Sequence, residues 1–142
     1  MGSTDLPNRD APGWLVRVSD EPIEPGELLG RVSDDRAGAA VLFLGTVRDH
    51  SPGRAGVTGL EYEAYREVVE AKIRQLASGA ADRWPILAAA VVHRLGTLRV
   101  GEISVAVAVS SAHRSDAFAA GRFLIDELKG TAPIWKKEHW PG

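Results

Sequence analysis

Two short segments of this sequence place basic residues where local structure would hold them. The first is His113-Arg114, which lies between an alternating apolar segment and an amphipathic one. If the amphipathic segment is a helix, its free N–H groups and partial positive charge add to the guanidinium and imidazole. Because arginine matches phosphate geometry, this junction predicts an anion site. The alternative is that Arg114 is solvated and that His113 only makes a hydrogen bond within the turn.

The second segment runs from Lys129 to Glu138 and contains Pro133-Ile134-Trp135 between basic residues. A lysine near a helix C-terminus is an ordinary dipole partner, which is the simplest interpretation of Lys129. The proline and the tryptophan, however, would hold Lys136 in place and partly out of water. A lysine that is partly desolvated beside another cation loses its proton more easily. Such a lysine can act as a nucleophile or base.

A third basic segment, 46–56, contains Arg48, His50 and Arg54 and is rich in glycine, proline and charge. This composition predicts a mobile loop. Basic loops of this kind can close over anionic substrates, although most are simply exposed.

Composition excludes several other chemistries. The chain has no cysteine, so a thiolate nucleophile, a disulfide and a cysteine-based metal site are impossible. Its four histidines lack metal-binding spacing, and we predict no metal and no cofactor. The net charge of -2 argues against general nucleic-acid binding. Apolar segments are too short for a membrane helix, and a cytoplasmic location is the default.

The elements that must position these residues follow from hydrophobic periodicity. With 142 residues, we expect one domain over 14–142 preceded by a disordered arm over 1–13. Strands are predicted over 14–18, 39–47, 60–65, 86–93 and 102–110, with a turn over 96–101. Helices are predicted from Pro25, over 66–83, and over 115–129 with Ser115 as cap, Phe118 in the apolar stripe and Gly130 as C′ residue. The order predicts an α+β fold with a mixed sheet, two main helices and a C-terminal tail.

Four groups of residues follow one another along the chain. They are Gly45-Thr46-Val47-Arg48-Asp49-His50, His93-Arg94-Leu95-Gly96, Ser111-Ala112-His113-Arg114-Ser115-Asp116-Ala117-Phe118, and Leu128-Lys129 with Ala132-Pro133-Ile134-Trp135-Lys136-Lys137-Glu138. In order and spacing, from about 14 to 138, the chain resembles the large, catalytic subunits of molybdopterin synthases. His-Arg-x-x-x-Phe followed by Lys-x-x-x-Pro-x-Trp-Lys-x-Glu is specific as a joint pattern.

This resemblance implies an α/β-hammerhead fold and a sulfurtransferase activity. Members of the family install two sulfurs as a dithiolene in a cyclic pyranopterin monophosphate (precursor Z), which gives molybdopterin. The sulfur arrives as a thiocarboxylate on the C-terminal Gly-Gly of a small ubiquitin-like partner subunit, so the enzyme itself needs no cysteine. The large subunits form a homodimer, and with two small subunits the assembly is a heterotetramer.

The resemblance also assigns roles by position. It implies that Lys129 and Lys136 are the catalytic lysines. The residues implied to bind substrate are Thr46, Val47, Arg48, His113, Arg114, Lys137 and Glu138. The product is more anionic than the substrate because the cyclic phosphate opens, and nearby cations would hold that charge. A non-catalytic paralogue that binds an anion or a partner is the main alternative, but it would need no positioned lysines.

Overall fold

The computed structural model describes residues 14–51 and 53–141, so the predicted disordered arm lies outside the described residues. The strands are β1 (Trp14–Ser19), β2 (Ala39–Thr46), β3 (His50–Ser51), β4 (Arg54–Ala55), β5 (Gly59–Ala64), β6 (Ile86–Arg94), β7 (Gly96–Arg99), β8 (Ile103–Ser111) and β9 (Ile134–His139). The helices are α1 (Pro25–Val32), α2 (Arg66–Arg83) and α3 (Arg114–Thr131). The predicted α+β class with two main helices is confirmed.

The larger sheet has the strand order β1-β6-β8-β2 and is mixed. Strand β1 runs parallel to β6, whereas β8 is antiparallel to both β6 and β2. Alternation along β8 divides the core in two. Val105, Val107 and Val109 face the long helices α2 and α3, while Ala106 and Ala108 face the short helix α1. The small side chains on that second face let α1 approach closely.

A second sheet has the order β7-β5-β9, and two of its strands differ from the sequence predictions. The predicted turn over 96–101 contains strand β7, and the predicted tail contains strand β9. Strand β7 has only 4 residues and begins at Gly96, which has a φ of 92° and is separated from the end of β6 by one residue. Strand β9 is largely polar, so neither strand carries an alternating apolar signal.

Helix α3 has different ends from those predicted. Its N-cap is His113, which makes no side-chain capping bond, and Ser115 lies inside the first turn. The helix continues through Gly130 to Thr131, whose hydroxyl donates to the Glu127 carbonyl at 2.6 Å. Phe118, placed in the apolar stripe from sequence, is 62% exposed because the neighbouring Ala117 occupies the buried position.

The described residues of the segment 46–56, predicted as a loop, include the two short antiparallel strands β3 and β4. Gly53, which lies between these strands, has a φ of 79°. Glycine tolerates this left-handed conformation, which other residues rarely adopt.

Candidate active site

A cavity of about 230 Å³ opens where the C-terminal end of α3 meets both sheets. Strand β8 contributes the floor with Ser104 and Val105, and β5 and β9 form one wall. The lining residues are Tyr62, His93, Ser104, Val105, Ile125, Leu128, Lys129, Ala132, Ile134 and Lys136. The apolar part of this lining continues the main core, so the cavity is a polar pocket set into a packed wall.

Both lysines singled out from the sequence line this cavity. Lys129 lies in the last turn of α3, and Lys136 lies on β9 opposite Tyr62 of β5. Helix α3 and strand β9 are joined by only two residues, so both lysines are fixed relative to one another by a short connection. The side chains remain exposed to solvent at the mouth of the cavity. The predicted convergence of two cations on one pocket is therefore present.

Trp135 does not shield Lys136 as the sequence suggested. Successive side chains of a strand point to opposite faces, so Trp135 and its neighbour diverge. The indole is 56% exposed and meets the Tyr65 ring edge-on, with a centroid distance of 6.1 Å. Pairing of β9 with β5, rather than cover from the tryptophan, sets the position of Lys136.

His93 is a buried polar residue of the cavity wall to which the sequence gave no role. It ends the apolar run of β6, and only 7% of its surface is exposed. Its Nδ1 donates to the Arg94 carbonyl at 2.8 Å, and its ring meets the Tyr62 ring edge-on at 5.3 Å. Burial, with a smaller contribution from the charge of Lys129, lowers the pKa of His93 to about 4. The imidazole is therefore neutral near pH 7.

The predicted substrate segment 46–48 lies at the same end of the large sheet but does not line the cavity. Val47 is buried, and its backbone N–H donates to the Glu102 carbonyl at 3.0 Å. Thr46 and Arg48 flank it and are exposed. The Ser104 hydroxyl in the cavity donates to the Gly45 carbonyl at 3.2 Å, which ties this segment to the cavity floor.

The predicted anion site lies far from the lysines. His113 and Arg114 are exposed at the N-terminal end of α3, and Lys129 is near its C-terminal end. With a rise of 1.5 Å per residue, Arg114 and Lys129 are roughly 22 Å apart along the helix axis. Within one chain, the two predicted halves of the site do not come together.

The remaining predicted residues, Lys137 and Glu138, are on β9 next to Lys136 but outside the cavity lining. Lys137 is exposed and pairs in register with Glu61, and Glu138 is half-buried opposite Leu60. Both belong to the strand that positions Lys136.

The chemistry that this cavity offers is electrostatic and nucleophilic. Two ammonium groups would neutralise an anion, and a lysine amine is also a potential nucleophile. In the described ranges, no three histidine or acidic side chains cluster in a way that could hold a metal ion. Likewise, none of the described helices is long and apolar enough to cross a membrane.

The fold and the cavity define a mixed α+β protein with a pocket lined by two lysines. Residues 18–131 match the family described as MoaE protein. The molybdopterin synthase catalytic subunit of Thermoplasma volcanium is 47% identical over 123 residues, which cover 87% of this chain and 89% of that protein. The subunit of the same name from Bacillus subtilis is 38% identical, with coverage of 87% and 78%.

Solved structures agree with this relationship. The crystal structure of molybdopterin synthase from Staphylococcus aureus superposes with a TM-score of 0.84 at 37% identity, covering 89% of this chain and 91% of that one. Molybdopterin cofactor biosynthesis protein E from Burkholderia multivorans gives a TM-score of 0.76 at 38% identity, covering 89% and 87%. The chain belongs to the MoaE family.

Proposed function

We propose that this chain is the catalytic subunit of a molybdopterin synthase. It transfers sulfur to a cyclic pyranopterin monophosphate and so forms the dithiolene of molybdopterin. The observation that carries the proposal is the convergence of Lys129 and Lys136 on one cavity of a MoaE-family fold. We place the enzyme in the cytoplasm, since the chain has no cysteine and so cannot form the disulfides that are typical of oxidising compartments.

The sulfur donor is a small ubiquitin-like subunit whose C-terminal Gly-Gly ends in a thiocarboxylate. Since the chain has no cysteine, sulfur must be brought by another molecule. The cavity is small, and glycines suit a narrow channel because they have no Cβ to meet its wall. The lysines supply countercharge to the thiocarboxylate and to the phosphate monoester that forms when the cyclic ester opens.

A second copy of the chain completes the site. Arg114 and His113 are too far from Lys129 in the same chain to bind one small substrate together with it. In a symmetric dimer, the N-terminal end of α3 in one copy can approach the cavity of the other. We infer a homodimer of large subunits with two small subunits, in which Thr46, Arg48, Lys137 and Glu138 complete the substrate contacts. The buried Val47 holds Thr46 and Arg48 in place through its backbone hydrogen bonds.

Reconstitution tests the proposal directly. The purified chain is mixed with thiocarboxylated small subunit and precursor, and the dithiolene product is measured by mass spectrometry. The matched control is the same small subunit with an ordinary carboxylate at its C-terminus. Product that forms with the thiocarboxylated small subunit but not with the carboxylate control supports the synthase activity. A chain that binds the precursor or the small subunit without forming product is instead a non-catalytic binding paralogue.

A further inference from the structure

We propose that His93 is a specificity-determining residue that accepts a hydrogen bond from a ring N–H of the reduced pterin. This inference rests on the proposed function, since it takes the pyranopterin as the ligand of the cavity. The sequence motifs assigned no substrate-binding role to His93, so this role is additional to the residues named above.

The ring of His93 is held in one orientation and one tautomer. A carbonyl oxygen can only accept, so the contact with the Arg94 carbonyl places the proton on Nδ1. The edge-on contact with Tyr62 fixes the plane of the ring. Among the described residues, Nε2 has no hydrogen-bond partner. Because the ring is neutral, Nε2 presents a lone pair from a buried residue of the cavity wall.

The basic side chains of the cavity cannot accept a hydrogen bond. Lys129 and Lys136 are donors without any acceptor atom, whereas a neutral His93 ring adds a fixed ring acceptor to the hydroxyls of Ser104 and Tyr62. A ligand bound here by its anionic groups meets the lysines, but its own N–H groups need an acceptor. An unmet N–H in a buried site loses affinity, so a fixed acceptor discriminates between ligands with and without that donor.

The position of His93 selects which N–H it meets. His93 shares the cavity with the two lysines, so it faces the part of the substrate where sulfur is transferred. In a pyranopterin, the pyran ring is fused to the reduced pyrazine ring, whose N–H groups are the donors nearest to the reacting carbons. Full oxidation of the pterin replaces those N–H groups with bare nitrogens, which are acceptors. His93 would therefore select the reduced substrate over its oxidised form.

The test uses a matched pair of variants and a matched pair of ligands. His93→Phe keeps a ring against Tyr62 but removes the acceptor, and His93→Gln supplies an amide oxygen in its place. Both variants lose the Nδ1 contact with Arg94, so their difference isolates the acceptor. Dissociation constants of the reduced precursor and of its air-oxidised form are measured by calorimetry. Circular dichroism checks folding, and kcat and KM are measured in the reconstituted synthase.

We expect wild-type protein to bind the reduced form at least tenfold more tightly than the oxidised form. His93→Phe should lose this preference and raise KM roughly tenfold with kcat little changed, while His93→Gln should retain both. Equal affinity of the wild-type protein for the two ligands overturns the proposal even if a variant fails to fold. Equal weakening in both variants would show that His93 is only structural.

The two proposals fail in distinguishable ways. Wild-type protein that selects the reduced pterin but forms no dithiolene would refute the synthase and leave the role of His93 intact. Active synthase whose His93→Phe variant binds both ligands as the wild type does would refute only the role of His93.

Discussion

Lys136 lies directly opposite Tyr62 across the antiparallel pair of β9 and β5, and both side chains line the cavity. The position of this lysine is thus set by backbone pairing between strands that are distant in sequence. Lys129 approaches the same cavity from a helix end. The two cations consequently depend on different elements, and they can be removed separately without disturbing one another's support.

Replacing either lysine should remove sulfur transfer and leave the fold intact. We expect Lys129→Ala and Lys136→Ala to lower kcat roughly 100-fold, the effect of removing one group that stabilises developing charge. For Lys129, loss of a helix-end charge costs only about 0.3–1 kcal/mol of stability. Lys72→Ala, on α2 and outside the cavity, is the control. Near-wild-type turnover in either cavity variant would remove that lysine from the mechanism.

Arg114→Ala should weaken precursor binding. A charge-assisted hydrogen bond contributes about 1.5–3 kcal/mol, so the dissociation constant should rise roughly 10- to 150-fold. Arg122→Ala is the matched control, because Arg122 is also exposed on α3 and, among the described residues, pairs with Asp126 alone. Calorimetry that finds equal affinities for both variants would place the phosphate elsewhere.

Mixed dimers test whether two copies build one site. If Arg114 of one copy serves the cavity of the other, Lys129→Ala and Arg114→Ala chains should complement each other. Each mixed dimer then has one intact site and one site with both changes. Random mixing should restore about a quarter of wild-type activity at low substrate concentration, because half of the dimers are mixed. No recovery after confirmed subunit exchange would contradict the shared site.

The buried His93 should make the protein less stable in acid. Its pKa is about 4 in the folded protein against an ordinary value of 6.5, so the unfolded chain binds the proton first. The stabilisation is complete above about pH 6.5 and is lost as pH falls toward 4, by up to about 3 kcal/mol. The measurement is the difference in unfolding free energy between wild type and His93→Gln across this range, in which the carboxylate contributions cancel. A pH-independent difference would mean that folding leaves the pKa of His93 unchanged.

Close backbone contact at Gly59 should make the second sheet sensitive to a single methyl group. A Cβ on Gly59 would run into the carbonyl oxygen of Leu98 on the neighbouring strand β7. We expect Gly59→Ala to cost about 1–3 kcal/mol of stability in urea unfolding. Gly30→Ala is the contrasting control, since nothing lies near its Cβ inside α1, and it should gain about 0.5–1 kcal/mol. Equal stability of the two variants would refute the contact.

The sequence predicted the parts of the fold whose side chains obey a period. Strand β8 alternates cleanly, and helix α2 begins and ends at the predicted residues. Its end was predictable because Pro85 disfavours a helical conformation at Trp84. Strands β7 and β9 escaped prediction because one is very short and the other is polar, so only pairing with β5 makes them strands. Tertiary contacts thus determine that these two segments are strands, which the local sequence pattern does not indicate.

The candidate site was predicted only in part, because some of its residues come together through tertiary contacts. The lysines were found through a motif, and the structure brings them to one cavity. The separation of Arg114 from Lys129 was readable from the length of one helix, at 1.5 Å for each residue between them. His93 was missed because a single histidine at the end of an apolar strand is usually a core residue. Its signal was its place in the motif with Arg94, which supplies the carbonyl that fixes the ring.

The pairing of β9 with β5 also sets an order of events during synthesis. Strand β9 leaves the ribosome after every other described element, whereas the strands of the large sheet and helices α1 and α2 are already available. Since nascent chains fold from the N-terminal side, the large sheet can form while the pocket still lacks a wall and one of its cations. The pocket is therefore completed only when β9 pairs with β5, after every other described element has been made.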